Sequence, residues 1–132
     1  MPYQSNSFLR TVLLADAIAS GATGLLMIAG AGLLDGLLGL PVALLREAGL
    51  VLIPYVAFVA WVGTRDAISR NAVQAVIVLN VLWVAGSIGL MVSGWVAPTM
   101  LGAAFVIAQG AVVAVLAELQ FVGLRRGATA AA

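Results

Sequence analysis

The chain contains no cysteine, no histidine and no lysine. Without cysteine it can form neither a disulfide nor a thiolate metal site, and without histidine it offers no imidazole ligand to zinc or haem. Without lysine it cannot form the Schiff base that retinal and pyridoxal chemistry require. We therefore expect no cofactor and no metal site in this protein.

Charged residues are also scarce. They make up 8% of the 132 residues, whereas soluble domains carry roughly 25%. Hydrophobic residues make up 64%, and the mean hydropathy is +1.18. The net charge is only +1 and no basic block occurs, so nucleic acid is not an expected partner. This composition predicts an integral membrane protein whose first partner is the lipid bilayer.

Four apolar stretches are long enough to cross a bilayer, which takes about 20 apolar residues in a helix. We expect them at about 11–33, 42–64, 71–92 and 98–124, within a single domain that covers residues 1–132. Long apolar runs without polar alternation favour helices over a β-barrel. The expected fold is therefore an all-α bundle of four transmembrane helices. Glycines and Pro41 interrupt the run between the first two spans, which predicts a short interfacial segment there.

The arginines are distributed unevenly between the two sides of the membrane. With four spans, five of the six arginines fall on the side of the termini, and Arg46 alone falls on the other side. The positive-inside rule then predicts that both termini are cytoplasmic, and we expect the location to be a bacterial inner membrane.

Three polar residues lie well inside the predicted spans. Counted from the arginines on the terminal side at 1.5 Å per residue, Asp16 is about 9 Å deep, Glu118 about 10 Å and Asn80 about 15 Å. Together with Ser20 and Ser87 they could form one polar cluster, in which two carboxylates would share a proton. Such a cluster would be a proton site or the polar end of a ligand pocket. Alternatively, each acid reaches a neighbour or an interfacial arginine and only holds the helices in register.

Further residues in the spans have two open interpretations. Tyr55 and Trp83 are candidates for lining a cavity, although aromatic residues at such positions are more often plain packing. On the fourth span, Gln109 and Gln120 project away from Glu118. A glutamine that faces lipid is unfavourable, so we expect this second face to contact protein, either another span or a second subunit.

Three segments of the sequence resemble those of small four-helix bacterial membrane proteins that have no assigned activity. They are Leu-Ala-Asp-Ala at 14–17, Ser-Gly-Ala-Thr-Gly at 20–24 and Ala-Glu-Leu-Gln-Phe-Val-Gly-Leu-Arg-Arg at 117–126. The size and the early acid are also similar to those of small multidrug resistance transporters. Those transporters have a glutamate in the first span, whereas this chain has Asp16 with different flanking residues. Their site is therefore not carried over to this chain.

Three functions are compatible with these observations. The first is a non-catalytic bundle, either an accessory subunit of a membrane complex or a binder of a lipid or other hydrophobic small molecule. The second is a proton-coupled transporter that acts as a homodimer through Asp16 or Glu118. The third is an intramembrane enzyme that uses the two carboxylates as acid and base. It ranks last, because the chain contains no recognisable catalytic motif.

Overall fold

The computed structural model describes the backbone of residues 2–131 and the side chains of residues 7–125. The backbone forms five helices: α1 Pro2–Ala29, α2 Ala31–Leu38, α3 Val42–Thr64, α4 Arg70–Val92 and α5 Met100–Ala131. All except α2 are long and apolar enough to cross a membrane, and no strand occurs among residues 2–131. The prediction of an all-α bundle with four candidate transmembrane helices is therefore confirmed.

The helix boundaries differ from the predicted spans at the two termini, where α1 begins at Pro2 and α5 continues to Ala131, and around the first loop. The first long helix ends at Ala29 rather than near residue 33, because Gly30 interrupts it and a second helix begins at Ala31. The expected interfacial segment is thus a short helix. It ends at Gly39, whose φ of 68° is a conformation that residues with a Cβ rarely adopt, and the Gly39 N–H bonds to the carbonyl oxygen of Asp35.

Helix α2 is attached to the beginning of α5 through one threonine. The Thr99 hydroxyl donates a hydrogen bond to the Leu37 carbonyl oxygen at 2.7 Å, and the Thr99 N–H donates to the Leu38 carbonyl oxygen at 2.9 Å. The same hydroxyl oxygen accepts the Gly102 N–H at 3.0 Å and so caps α5. These contacts hold the α1–α3 connection against the α4–α5 connection at one end of the bundle.

Helices α1 and α3 form the closest pair in the bundle. A Cβ atom placed on Gly49 would lie 2.9 Å from the Gly24 carbonyl oxygen and 2.7 Å from the Ile28 side chain. Only glycine leaves room for such an approach, as small residues do where membrane helices meet. The α1–α3 pair is therefore the most tightly packed part of the bundle.

The four long helices surround a common interior in the order α3, α1, α5, α4. Neighbouring helices in this order pack closely against each other. The backbones of α3 and α4, which would close the circle, approach each other closely at few points. The bundle therefore has one weakly closed seam, which runs between α3 and α4.

Two apolar clusters fill the interior. One lies toward the terminal side and contains Leu9, Leu13, Ala17, Val59, Val62, Val73, Val76 and Leu124. The other lies toward the opposite side and contains Met27, Ala31, Leu38, Leu40, Leu45, Leu52 and Val106. Large apolar side chains also cover much of the outer surface, among them Ile18, Val92 and Met100. An outer surface of this kind matches the bilayer as its surroundings.

Candidate functional site

Asp16 is the centre of a polar cluster between the two apolar clusters, and only 1% of the residue is exposed. Its Oδ1 accepts a hydrogen bond from the hydroxyl of Ser20, one turn further along α1, at 2.9 Å. Its Oδ2 lies 2.6 Å from the Tyr55 hydroxyl of α3 and 2.7 Å from Nε2 of Gln120 of α5. Nδ2 of Asn80, from α4, lies 3.2 Å from the same oxygen. The cluster therefore joins all four long helices.

The two amides also bond to each other, and the Asn80 amide bonds to the tyrosine. Nδ2 of Asn80 donates to Oε1 of Gln120 at 2.9 Å, and Oδ1 of Asn80 lies 2.7 Å from the Tyr55 hydroxyl. Asn80 and Gln120 are 4% and 0% exposed. Among residues 7–125, every buried side-chain nitrogen and oxygen atom has a hydrogen-bond partner. That matters because an unpaired polar group in an apolar interior costs about 1–3 kcal/mol.

The cluster lies in the half of the bundle nearer the termini. Counted from the terminal-side arginines at 1.5 Å per residue, Gln120 is about 8 Å deep and Asp16 about 9 Å, while Tyr55 and Asn80 are about 15 Å deep. On the terminal side of the cluster, Leu13 and its neighbours in the first apolar cluster are fully buried. The cluster is therefore sealed from the nearer membrane surface.

The structure brings Asp16, Ser20 and Asn80 together but leaves Glu118 outside. The Glu118 side chain is exposed on the outer face of α5. Gln120 is two residues further along, and two residues turn an α-helix by about 200°, so the two side chains point in nearly opposite directions. The structure therefore contradicts the expectation that Glu118 belongs to the polar cluster. Gln120 is the residue of α5 that contacts Asp16 and Asn80.

Ser87 belongs to a second polar group, which connects α4 and α5 nearer the other end of the bundle. The indole N–H of Trp83 donates to Oε1 of Gln109 at 2.7 Å. Nε2 of Gln109 donates to the Ser87 hydroxyl at 3.1 Å, and that hydroxyl donates to the Trp83 carbonyl oxygen at 2.9 Å. Gln109 therefore bonds inside the bundle. Ser87 is seven residues beyond Asn80, about 10 Å along the helix, and so lies away from Asp16.

A cleft of about 340 Å³ lies at the weakly closed seam between α3 and α4. Its wall includes Ser20, Leu52, Tyr55, Phe58, Asn80 and Trp83. A second cleft of about 290 Å³ follows α5 and shares Ser20, Leu52, Trp83 and Val113 with the first. Both predicted cavity residues, Tyr55 and Trp83, thus line the seam cleft, and three members of the polar cluster form part of its wall.

No protein-family model, curated protein or solved structure matches this chain. What the protein can do is therefore argued from its own groups. One carboxyl, one phenol, two amides and one hydroxyl can exchange hydrogen bonds and hold a proton. Ser20, Tyr55 and Asn80 present part of this capacity to the cleft. Within residues 7–125, no group of three or more acidic, histidine or cysteine side chains is placed to hold a metal ion.

Proposed function

We propose that this protein binds an apolar molecule in the cleft between α3 and α4, with a polar end group of that molecule against Ser20, Tyr55 and Asn80. The observation that carries the proposal is the composition of the cleft wall. It is apolar along α3 and α4 and polar only where the Asp16 cluster reaches it. Pockets that orient small molecules combine a mostly apolar lining with a few convergent polar groups in this way.

The ligand would reach the cleft sideways from the bilayer. The cleft is at mid-span depth, since Tyr55 and Asn80 are both about 15 Å from the terminal-side arginines. At its edges Val51 is 60% exposed and Leu79 is 44% exposed, so the walls continue into lipid-facing surface. Because the backbones of α3 and α4 approach each other closely at few points, a molecule dissolved in the membrane would pass between them by moving side chains rather than whole helices.

The end group of the ligand is expected to be uncharged. None of the residues around the cleft is an arginine, so an anion would enter an apolar region without a counter-charge. A cation would have to compete for Asp16, whose two oxygens are already engaged in hydrogen bonds with four side chains. A long-chain alcohol or ketone fits these conditions, because its oxygen can bond to the polar wall while its chain remains in the apolar part.

The proposed location is a bacterial inner membrane with both termini in the cytoplasm, and the excess of arginine on the terminal side supports it. Association with a second copy or with a larger membrane complex is compatible with this function. Proton-coupled transport is a second candidate, favoured by one observation. Asp16, the buried acid, bonds directly to three residues that line the cleft.

Fluorescence of Trp83 tests the proposal directly. The double variant Trp61→Phe/Trp95→Phe removes the two exposed tryptophans and leaves Trp83, which lies in the cleft wall, as the single tryptophan of the chain. A long-chain alcohol brominated near its hydroxyl end should quench Trp83 in a saturable manner in lipid vesicles. The corresponding brominated fatty acid, added at neutral pH, should quench less because its end group is charged.

Two further variants on α5 serve as the matched pair. Val113→Phe places a ring in the cleft wall and should abolish saturable quenching, whereas Val115→Phe, on the exposed surface of the same helix, should leave it intact. Quenching that rises linearly with bromine content and is equal in both variants would mean that the alcohol acts from the bulk lipid. The proposal would then fail. Native mass spectrometry from mild detergent would identify a co-purified ligand by its mass.

A further inference from the structure

Four side chains of the polar cluster form a closed ring of short contacts. Oδ2 of Asp16 lies 2.6 Å from the Tyr55 hydroxyl oxygen, which lies 2.7 Å from Oδ1 of Asn80. Nδ2 of Asn80 lies 2.9 Å from Oε1 of Gln120, and Nε2 of Gln120 lies 2.7 Å from Oδ2 of Asp16. At these separations each contact needs one hydrogen between its two heavy atoms, because two bare acceptors that close repel each other.

An ionised Asp16 cannot supply this number of hydrogens. The tyrosine hydroxyl has one hydrogen and can give it either to Asp16 or to Asn80. If it goes to Asn80, the Tyr55 and Asp16 oxygens face each other at 2.6 Å without a hydrogen. A buried oxygen pair of this kind is unfavourable in an apolar interior.

Reversing the amides does not remove the conflict. If the tyrosine donates to Asp16, Asn80 must turn its nitrogen toward Tyr55, and its oxygen then faces Gln120. Gln120 must turn its nitrogen toward Asn80, which leaves the Gln120 oxygen 2.7 Å from the carboxylate with no hydrogen between them. No combination of amide orientations completes the ring around an ionised Asp16.

We propose that the ring formed by Asp16, Tyr55, Asn80 and Gln120 is a proton-binding site, in which one additional proton resides on Oδ2 of Asp16. With this proton each group donates to the next in one direction. Asp16 donates to Tyr55, Tyr55 to Asn80, Asn80 to Gln120 and Gln120 back to Asp16. Binding forms one O–H bond and changes the charge of Asp16 from −1 to zero. The amide orientations that this direction requires are those in the structure.

The surroundings of Asp16 favour a neutral ring. Among the described residues packed against it, Tyr55 on α3 is the titratable group, while α4 and α5 contribute Asn80 and Gln120, which do not titrate. Arg10 lies about 9 Å earlier along α1. Its guanidinium donates to the carbonyl oxygens of Gly63 at 2.7 Å and Asp66 at 3.4 Å rather than to Asp16.

The route of the proton is set by what covers the ring. Toward the terminal side, Leu13, Val59 and Val76 are fully buried beneath it. Toward the seam, Tyr55 and Asn80 line the cleft. Proton exchange therefore proceeds through the cleft. The proton site does not depend on whether the cleft also binds an apolar ligand, so the failure of one proposal leaves the other intact.

Carbon NMR of one labelled carboxyl group tests the proposal. The chain of 132 residues contains three aspartates, at positions 16, 35 and 66. In the variant Asp35→Asn/Asp66→Asn, labelled at the aspartate carboxyl carbon and placed in phosphatidylcholine vesicles, Asp16 alone gives the signal. We expect the chemical shift of a carboxylic acid at pH 7, a pH at which free aspartate is ionised. The shift of a carboxylate at that pH would overturn the proposal.

A variant that opens the ring shows whether the missing hydrogen of the ring, rather than burial alone, is the reason that Asp16 holds a proton. In the same background, Asn80→Ala removes the acceptor that competes for the tyrosine hydrogen and leaves Tyr55, Gln120 and Ser20 as donors to Asp16. We expect the signal to move to that of a carboxylate at pH 7. Ser87→Ala, on the same helix but outside the ring, should keep the acid signal. An acid signal that persists in Asn80→Ala would contradict the ring as the cause. Circular dichroism of each variant verifies that the helices are formed.

Discussion

At Asp16, hydrogen bonds with four side chains replace the water that burial removes. Ser20, Tyr55, Asn80 and Gln120 each contribute one contact, and they come from all four long helices. A carboxyl group at membrane depth costs about 2.5–3.5 kcal/mol on insertion scales, so such groups pair with other polar groups or with water. Here the partners are other residues of the bundle, which makes the cluster a link between the helices.

Gln120 should therefore matter to stability far more than Glu118. Gln120→Leu removes a donor to Asp16 and an acceptor from Asn80, and we expect a loss of roughly 1–2 kcal/mol in the free energy of unfolding, the upper range for hydrogen bonds inside membranes. Glu118→Leu, on the same helix, removes an exposed side chain and should change stability little. Thermal unfolding in detergent measures both. A larger loss of stability for Glu118→Leu than for Gln120→Leu would mean that Glu118, and not Gln120, belongs to the buried polar cluster.

Part of the site could be predicted from the sequence because polar groups are rare in apolar spans. Asp16 and Asn80 were placed in one layer from helix rise alone. The choice between Glu118 and Gln120 depends on which face of α5 points into the bundle. The rise per residue gives the depth of a side chain in the membrane but not the direction in which it points. The sequence does indicate that Gln120 contacts protein, because exposing its amide to lipid is unfavourable. The tyrosine hydroxyl could not be assigned, because an aromatic residue in a span is compatible with plain packing.

At the scale of helices, the α1–α3 pair depends on two glycines that face each other. Gly24 and Gly49 allow the backbones to approach until a Cβ on Gly49 would meet a carbonyl oxygen. Backbone cannot move aside as a flexible side chain can, so any larger residue must separate the two helices. Since Asp16 is on α1 and Tyr55 is on α3, this spacing also sets the geometry of the polar cluster.

Gly49→Ala is expected to destabilise the bundle by roughly 1–3 kcal/mol, the usual range for overpacking a tight interior. The matched control is Gly86→Ala in α4, where an added Cβ meets nothing within 4 Å. That variant should be neutral or slightly stabilising, because alanine favours a helix over glycine. Thermal unfolding of the two variants compares them under the same conditions. Equal losses would mean that α1 and α3 are not as close as the structure has them.

The long helices were predictable and the short one was not. Span length follows from bilayer thickness, so α3 was predicted with the boundaries that the structure has, at 42–64. Helix α2 contains four leucines and two glycines, a composition that argues against a regular span but does not distinguish a turn from a short helix. Thr99 bonds α2 to the loop between α4 and α5, which is distant from α2 in sequence. The hydropathy and glycine pattern of one segment contains no information about such a long-range contact.

For the whole molecule, the weak seam between α3 and α4 determines where a ligand could be held. The other helix neighbours pack closely, and the seam contains the larger cleft and the accessible side of the polar cluster. The order of the helices around the bundle could not be predicted, because apolar faces of similar composition can pair in several ways. The number of spans, in contrast, follows from the hydropathy pattern alone.

The proposed orientation in the membrane gives a prediction at this scale. With four spans and cytoplasmic termini, alkaline phosphatase fused after the last residue should be inactive, because the enzyme folds only outside the cytoplasm. The same enzyme inserted at Gly94, in the connection between α4 and α5, should be active. The opposite pattern would place the termini outside, and activity at both sites would mean an even number of spans between them, so that α5 would not cross the membrane.

The account depends most on Asp16 and Gln120, which are 104 positions apart in sequence and in direct contact in the bundle. A double-mutant cycle with Asp16→Ala and Gln120→Ala, read as the free energy of unfolding in lipid bicelles, measures their interaction alone. We predict a coupling of about 0.6–1.7 kcal/mol, which lies between the average and the largest value found for hydrogen bonds between membrane helices. The cycle with Asp16→Ala and Glu118→Ala should give a coupling near zero. No coupling between Asp16 and Gln120, or a larger coupling between Asp16 and Glu118, would contradict the buried cluster.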